Sequence, residues 1–184
     1  MRLFAAVLFD ESSLDRIHEY RCRFREAALS GNFSSRNNYH ITLKFFGEVE
    51  PEGIRPICRA LEKSASSFRP FFLSPSAPGV FRRSEGSVLW IGINRGKREL
   101  WTLADRTEEV LAAIGIPKED RAFRAHITLG RKVMFRDEFA HVAEDMGKVD
   151  FLSEAKGISL MESTRERGAL VYRELYFFPF GKGQ

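Results

Sequence analysis

HITLKFFG, running from His40 to Gly47, and HITLGR, from His126 to Arg131, share the string His-Ile-Thr-Leu. The chain has four histidines, and two of them stand in these strings. In an extended strand, side chains two positions apart point the same way. His40 then shares a face with Thr42, and His126 with Thr128, while the Ile and Leu of each string turn to a core. Two such strands can set two imidazoles and two hydroxyls around one small anion.

Around these strings the chain alternates short apolar runs with helical periodicities. Leu3 to Phe9 reads as a buried strand. A helix is expected to open at Asp10, capped by Ser12 or Ser13, and to run toward Leu29. Gly31 and the following SSRNN read as a connection, and Tyr39 to Phe46 as a strand. A second helix starts at Pro51 and reaches about Ser64, with Pro56 in its first turns. Phe68 to Leu73 is a further strand.

The turn-rich stretch Ser74 to Ser87 reads as a mobile surface loop, carrying Phe81, Arg82 and Arg83 near an anionic ligand. Ser87 to Ile93 is a strand, Arg98 to Ile114 a helix stopped by Gly115, and His126 to Arg131 a strand. A short helix uses Phe139, Val142 and Met146. Strands follow at Val149 to Phe151, Ala155 to Glu162 and Leu170 to Phe178, with Gly168 turning between the last two. This order predicts an α+β protein of two layers. The strings lie nearly half the chain apart, so each is expected to supply one strand to opposing lobes of a single unit spanning residues 1–184.

The 184 residues suit one domain or two small lobes on a shared core. With 29 basic and 25 acidic residues, the formal charge of +4 mildly favours an anionic partner. Cys22 and Cys58 form no disulfide framework and no metal-ligand pair, which fits a reducing, cytoplasmic setting. The opening MRLFAAVLFD is too short to span a membrane and lacks a convincing export segment.

Imidazole transfers protons near neutral pH. One neutral ring can take a proton from water while a protonated one donates to a leaving alkoxide, and Thr42 and Thr128 can donate to phosphoryl oxygens. A zinc site competes, but catalytic zinc usually takes three protein ligands. The chain has no HExxH, and neither His18 nor His141 is spaced to join. GxxxxGK[ST], GxGxxG and GxSxG are likewise missing.

The patterns HxTLxFxG and HxTLxR, the opening MRLFAAV, the strand VLWIGI and the late SLMESTRERGALVYRELYFFPF together resemble the RNA 2',3'-cyclic phosphodiesterase branch of the 2H phosphoesterase superfamily, also called the 2'-5' RNA ligase family. The likeness covers nearly the whole chain. Family members often have Leu where this chain has Phe46, a difference of packing more than of chemistry. The resemblance implies a bilobal fold, with two antiparallel sheets lining a central cleft and helices outside. It implies hydrolysis of RNA 2',3'-cyclic phosphate ends to 2'-phosphomonoesters, with no metal or other cofactor and no obligate protein partner.

In that likeness His40 is the general acid for the departing 3' oxygen, His126 the general base for water, and Thr42 and Thr128 hold phosphoryl oxygen. Arg131 is assigned to phosphate or nucleotide contact. It stands five residues after His126, on the wrong side of a regular alternation, so reaching the cleft needs a twist or a strand end at Gly130. Phe45 stands in the same relation to His40 and is a candidate for stacking on a base. Arg82, Arg83, Arg121 and Arg124 are candidates for RNA backbone contact or ordinary basic surface. Reversible 2'-5' RNA ligation, action on another small nucleotide, and noncatalytic RNA binding are the competing readings.

Overall fold

The computed structural model describes residues 1–181, so residues 182–184 of the expected unit lie outside the described part. The strands are β1 (Arg2–Val7), β2 (Ala28–Phe33), β3 (Ile41–Glu48), β4 (Phe71–Leu73), β5 (Pro75–Phe81), β6 (Ser87–Ile93), β7 (His126–Phe135), β8 (Ser153–Ala155), β9 (Gly157–Glu166) and β10 (Ala169–Pro179). The helices are α1 (Glu11–Ala27), α2 (Pro51–Ala65), α3 (Lys97–Ala112) and α4 (Phe139–Met146).

Two four-stranded antiparallel sheets form, in the orders β10-β9-β1-β3 and β2-β7-β6-β5, with β4 and β8 paired separately. Two of the helices are exchanged between them. α1 leaves β1 but packs on β2 of the other sheet, and α3 leaves β6 but packs on β3. One continuous core, including Leu3, Val7, Ile41, Leu89, Ile91, Leu103 and Ile127, joins both sheets to the helices. Each sheet thus buries one face under helices and keeps the other for a cleft.

Several boundaries differ from those expected. α1 is capped by Asp10, not by Ser12 or Ser13: Asp10 Oδ1 accepts from the Ser13 amide at 2.8 Å. A carboxylate takes more of the free donors at a helix start than a hydroxyl does. Asp10 also accepts from the hydroxyls of Ser12 and Ser153, both at 2.7 Å. Burial raises its pKa, but these hydrogen bonds prevail and bring it down to about 2.

The residues expected as the end of α1 and a connection form β2, an edge strand on β7. The expected mobile loop is instead β5, paired along β6, and only residues 82–86 turn between them. Gly79 serves there as a strand residue under Trp90, since a Cβ at this position would lie 2.2 Å from the indole. Val149 to Phe151 is irregular, and the strand lies further on, at β8. The β9–β10 hairpin turns through Arg167 and Gly168, both at positive φ, the twist that suits a two-residue turn.

The motif strands carry matching irregularities. On β1, Ala5 faces Lys44 while Ala6 faces Thr42, so Leu43 is an extra residue. On β6, Leu89 faces Gly130 while Trp90 faces Thr128, so Leu129 is an extra residue. Each bulge falls on the Leu of an HITL string and reverses the alternation after it. Lys44, which plain alternation puts beside Thr42, is sent into the core at 3% exposure. Its Nζ donates to Glu108 at 3.0 Å and to the Pro117 carbonyl at 2.7 Å, with Glu119 at 3.5 Å. The strand after His40 thereby grips the segment that leads into His126.

Removing Glu108 leaves the buried Lys44 charge with only the Pro117 carbonyl and the more distant, exposed Glu119. Glu108→Ala is therefore expected to cost about 3 kcal/mol in urea unfolding. The double variant Lys44→Met, Glu108→Leu should recover most of that loss. A Glu108→Ala midpoint equal to the wild type's would show that the pair holds nothing.

Candidate active site

His40 stands just ahead of β3 and His126 opens β7. Each ring is held alike. His40 Nδ1 lies 2.7 Å from the Asn38 carbonyl, and His126 Nδ1 lies 2.7 Å from the Arg124 carbonyl. A carbonyl can only accept, so both Nδ1 atoms carry the proton and both Nε2 atoms are left for chemistry. His40 Nε2 meets Thr42 Oγ1 at 3.0 Å. When His40 is neutral, this hydroxyl donates to the ring; when it is protonated, the ring donates and frees the threonine proton.

Asn38 holds this arrangement on one side. Its amide donates to the Leu170 carbonyl at 2.9 Å and accepts from the Tyr172 amide at 3.2 Å. The side chain thus docks the turn at Arg36–Asn38 onto the edge of β10, while its own backbone carbonyl holds His40. On the other side, the Lys44 grip on Pro117 steadies the approach to His126.

Aromatic rings wall both imidazoles. Phe4 lies 4.8 Å from His40, and Tyr172 meets it edge-on at 5.1 Å. Phe81 meets His126 edge-on at 5.3 Å, with Trp90 behind at 6.4 Å. Thr128 faces Trp90 across β6 and β7.

The bulges decide where Arg131 and Phe45 go. β7 does not end at Gly130; it continues to Phe135. Gly130 faces the core residue Leu89, so Arg131 turns to the cleft face. Its charge lowers the pKa of His40, His126 and Tyr172. Phe45 is opposite Phe4 and shares that face, half-exposed, with the Arg2 guanidinium 5.0 Å from its ring.

Electrostatics disfavour the protonated form of both histidines in the free site. Burial depresses His40 most, the Asn38 carbonyl opposes, and Arg131 and His126 push it further down, to about 4. His126 is lowered by burial and by Arg131, against the Arg124 carbonyl. Burial raises Tyr172, while Arg131 and Arg2 lower it. Among the described residues, no group of three or more His, Cys, Asp and Glu is disposed to hold a metal ion. His18 is on α1, its Nδ1 3.2 Å from the Tyr39 hydroxyl, and His141 is exposed on α4.

The sequence reading missed Asn38, Tyr172, Phe4 and Trp90. Asn38 stands two residues before His40, the only local signal it offers. The others look like ordinary strand residues until the sheets close. Of the arginines considered for RNA, Arg82, Arg83, Arg121 and Arg124 are all exposed.

Two facing sheets, each bringing a histidine and a threonine to one cleft, are the architecture of a two-repeat phosphoesterase. A family model described as LigT like Phosphoesterase matches residues 8–90 and again 91–172, one HITL string in each half, and the chain belongs to this family. A curated relative from Archaeoglobus fulgidus, named RNA 2',3'-cyclic phosphodiesterase, is 32% identical over 182 residues, covering 97% of this chain and 99% of its own. The crystal structure of E. coli LigT complexed with 3'-AMP superposes with a TM-score of 0.76 at 26% identity, over 98% of both chains. A crystal structure from Thermus thermophilus gives a TM-score of 0.77 at 22% identity over the whole of both chains, a likeness of fold. No helix among the described residues is long and apolar enough to cross a membrane.

Asn38→Ala removes two side-chain bonds to β10, and about 1 kcal/mol of stability is expected to go with them. The imidazole ¹⁵N shifts of His40 should move away from the Nδ1-protonated form, while those of His126 stay put. Unchanged His40 shifts would show that the turn holds without Asn38.

Proposed function

We propose that this protein hydrolyses RNA 2',3'-cyclic phosphate ends to 2'-phosphomonoesters, using its own side chains and no metal. The observation that carries the reading is the matched pair of imidazoles, each with Nδ1 tied to the carbonyl two residues earlier and Nε2 on the side left for chemistry, where that of His40 meets only the Thr42 hydroxyl. The names of the relatives support the substrate class. Both halves of the chain act as one domain in this reading, because neither supplies the pair alone.

The substrate phosphate is an anion, and Arg131 attracts it into the cleft. Once there it pairs with the guanidinium that depresses the histidines, and its own charge favours protonated imidazole. His40 then carries a proton on Nε2 as well as on Nδ1. Water attacks phosphorus as His126 Nε2 takes its proton. The P–O3' bond breaks, its electron pair goes to O3', and His40 Nε2 delivers the proton there. Phosphate remains on O2'. Thr42 and Thr128 donate to nonbridging oxygens as charge builds on them. Phe45 offers a ring face to a base. His126 ends protonated and His40 neutral, and exchange with water resets both.

The donor set supports metal independence in this reading: both Nδ1 atoms are committed to backbone carbonyls, and among the described residues no third ligand accompanies the two Nε2 atoms. EDTA-treated protein should convert a nucleoside 2',3'-cyclic phosphate to the 2'-phosphate, followed by phosphorus NMR. His40→Ala and His126→Ala are each expected to lower kcat by about 10²- to 10⁴-fold with folding intact by circular dichroism. Wild-type turnover in either variant would sink the two-histidine mechanism, and formation of a 3'-phosphate would reverse the bond assignment.

The pH dependence has a defined sign. kcat/KM reports the free site, where both histidines are depressed. The singly protonated pair is most populated on the acid side of 6.5 and is lost again toward about 4. A bell with its maximum below pH 6.5 is expected for kcat/KM, with the kcat bell displaced to higher pH by bound phosphate. A kcat/KM profile flat between pH 5 and 8 would contradict reciprocal roles.

A further inference from the structure

Trp101 is 56% exposed on α3, while Leu100, Leu103, Ala104, Val110 and Leu111 of the same helix are buried. A single exposed ring is ordinary on a protein surface, and this one counts because of the hollow that it lines. Beside it lies a concavity of about 430 Å³, lined by Asn94, Lys97, Arg98, Trp101, Phe123 and Ala125. It joins two aromatic rings to two cations and an amide, and no carboxylate lines it. Its volume falls in the range of small-ligand sites.

A second concavity of about 330 Å³ shares Trp101 and Phe123 but lies on their other side. Asp105, Glu108, Glu119 and Asp120 line that one together with Lys118 and Arg121, and Lys44 pairs with Glu108 and Glu119. The two rings therefore form a ridge between a hollow of mixed charge and a basic one. Lys97 and Arg98 in the second offer a polyanion cations with no carboxylate beside them.

The basic hollow reaches the start of the strand that carries His126, since Ala125, which lines it, directly precedes that residue. Ala125 is one peptide from His126, about 3.8 Å between Cα atoms. On the neighbouring strand, Gly92 faces His126, and Asn94 follows two residues later. We propose that this hollow is a second nucleotide subsite, taking the base next to the cyclic-phosphate end of an RNA strand. Trp101 and Phe123 stack the base, and Lys97 and Arg98 receive the backbone phosphate. Stacking on a π face tolerates every base, so the subsite selects for strand length and not for base identity. The proposal rests on the cyclic phosphodiesterase reading and adds to it a preference for oligonucleotide ends.

The test compares kcat/KM for a mononucleoside 2',3'-cyclic phosphate with that for a dinucleotide bearing the same end. The wild type should favour the dinucleotide by roughly tenfold. Trp101→Ala should abolish that preference and leave the mononucleotide unchanged, while Trp101→Phe retains most of it. Lys97→Ala with Arg98→Ala should weaken the dinucleotide alone and flatten its salt dependence. A wild type without preference, or a preference that survives Trp101→Ala, overturns the subsite.

Should neither substrate turn over, the cyclic phosphodiesterase reading fails and fluorescence decides the subsite by itself. Quenching by the dinucleotide that is larger in the wild type than in Trp101→Phe upholds it, because Trp90 beside His126 reports on the cleft in both. Equal quenching in both, or none, overturns it and leaves the ridge to a protein partner.

Discussion

Leu43 and Leu129 each add one residue to a strand whose partner has none to match, and the cleft depends on that mismatch. In a regular strand the side chains at His, at Thr and two beyond all share one face. The bulge keeps the His and Thr there and turns the next pair around. Lys44 goes inward to Glu108 and Pro117, where its charge ties strand to loop. Phe45 and Arg131, which plain alternation would bury, come out beside the imidazoles. The same device at the same place in both halves gives the cleft its near-symmetry.

The two halves then depart from one another, and the departure matters chemically. His40 lies between Phe4 and Tyr172, shares a hydrogen bond with Thr42 and is anchored through Asn38 to an edge strand. His126 lies against Phe81 and Trp90 and is approached by a segment held from below by Lys44. One guanidinium, Arg131, depresses both. The more deeply buried ring, His40, is also the one beside Tyr172 of β10, so the halves offer unequal places for acid and base. An anion entering such a site changes the protonation of the groups that act on it.

Much of the architecture was legible because its signals are local. Ser87–Ile93 and Phe139–Met146 have the bounds the residue pattern suggested, and Gly168 marks its hairpin. β2 and β5 were not legible. Ala28–Phe33 and Pro75–Phe81 contain Gly, Pro or Ser where strand formers are usual; the first becomes a strand by pairing with β7, remote in sequence, and the second by pairing along β6 across the turn at residues 82–86. Asp10 outcompetes the serines as a cap because Ser153, far along the chain, adds a donor to it. Such stabilisation belongs to the folded neighbourhood and leaves no local trace.

The sequence by itself determined the paired HxT strings, their strand setting and the family they belong to, because a period-two alternation and a repeated string are properties of neighbours. Tertiary structure alone decided which way Phe45 and Arg131 face, since a bulge exists only relative to a partner strand. It also decided that Lys44 is buried, that Asn38 reaches β10, that Tyr172 and Trp90 flank the imidazoles, and that Trp101 stands beside the approach to His126. Each of these depends on strands and helices exchanged between two sheets. Their contacts form only when both halves close around one core.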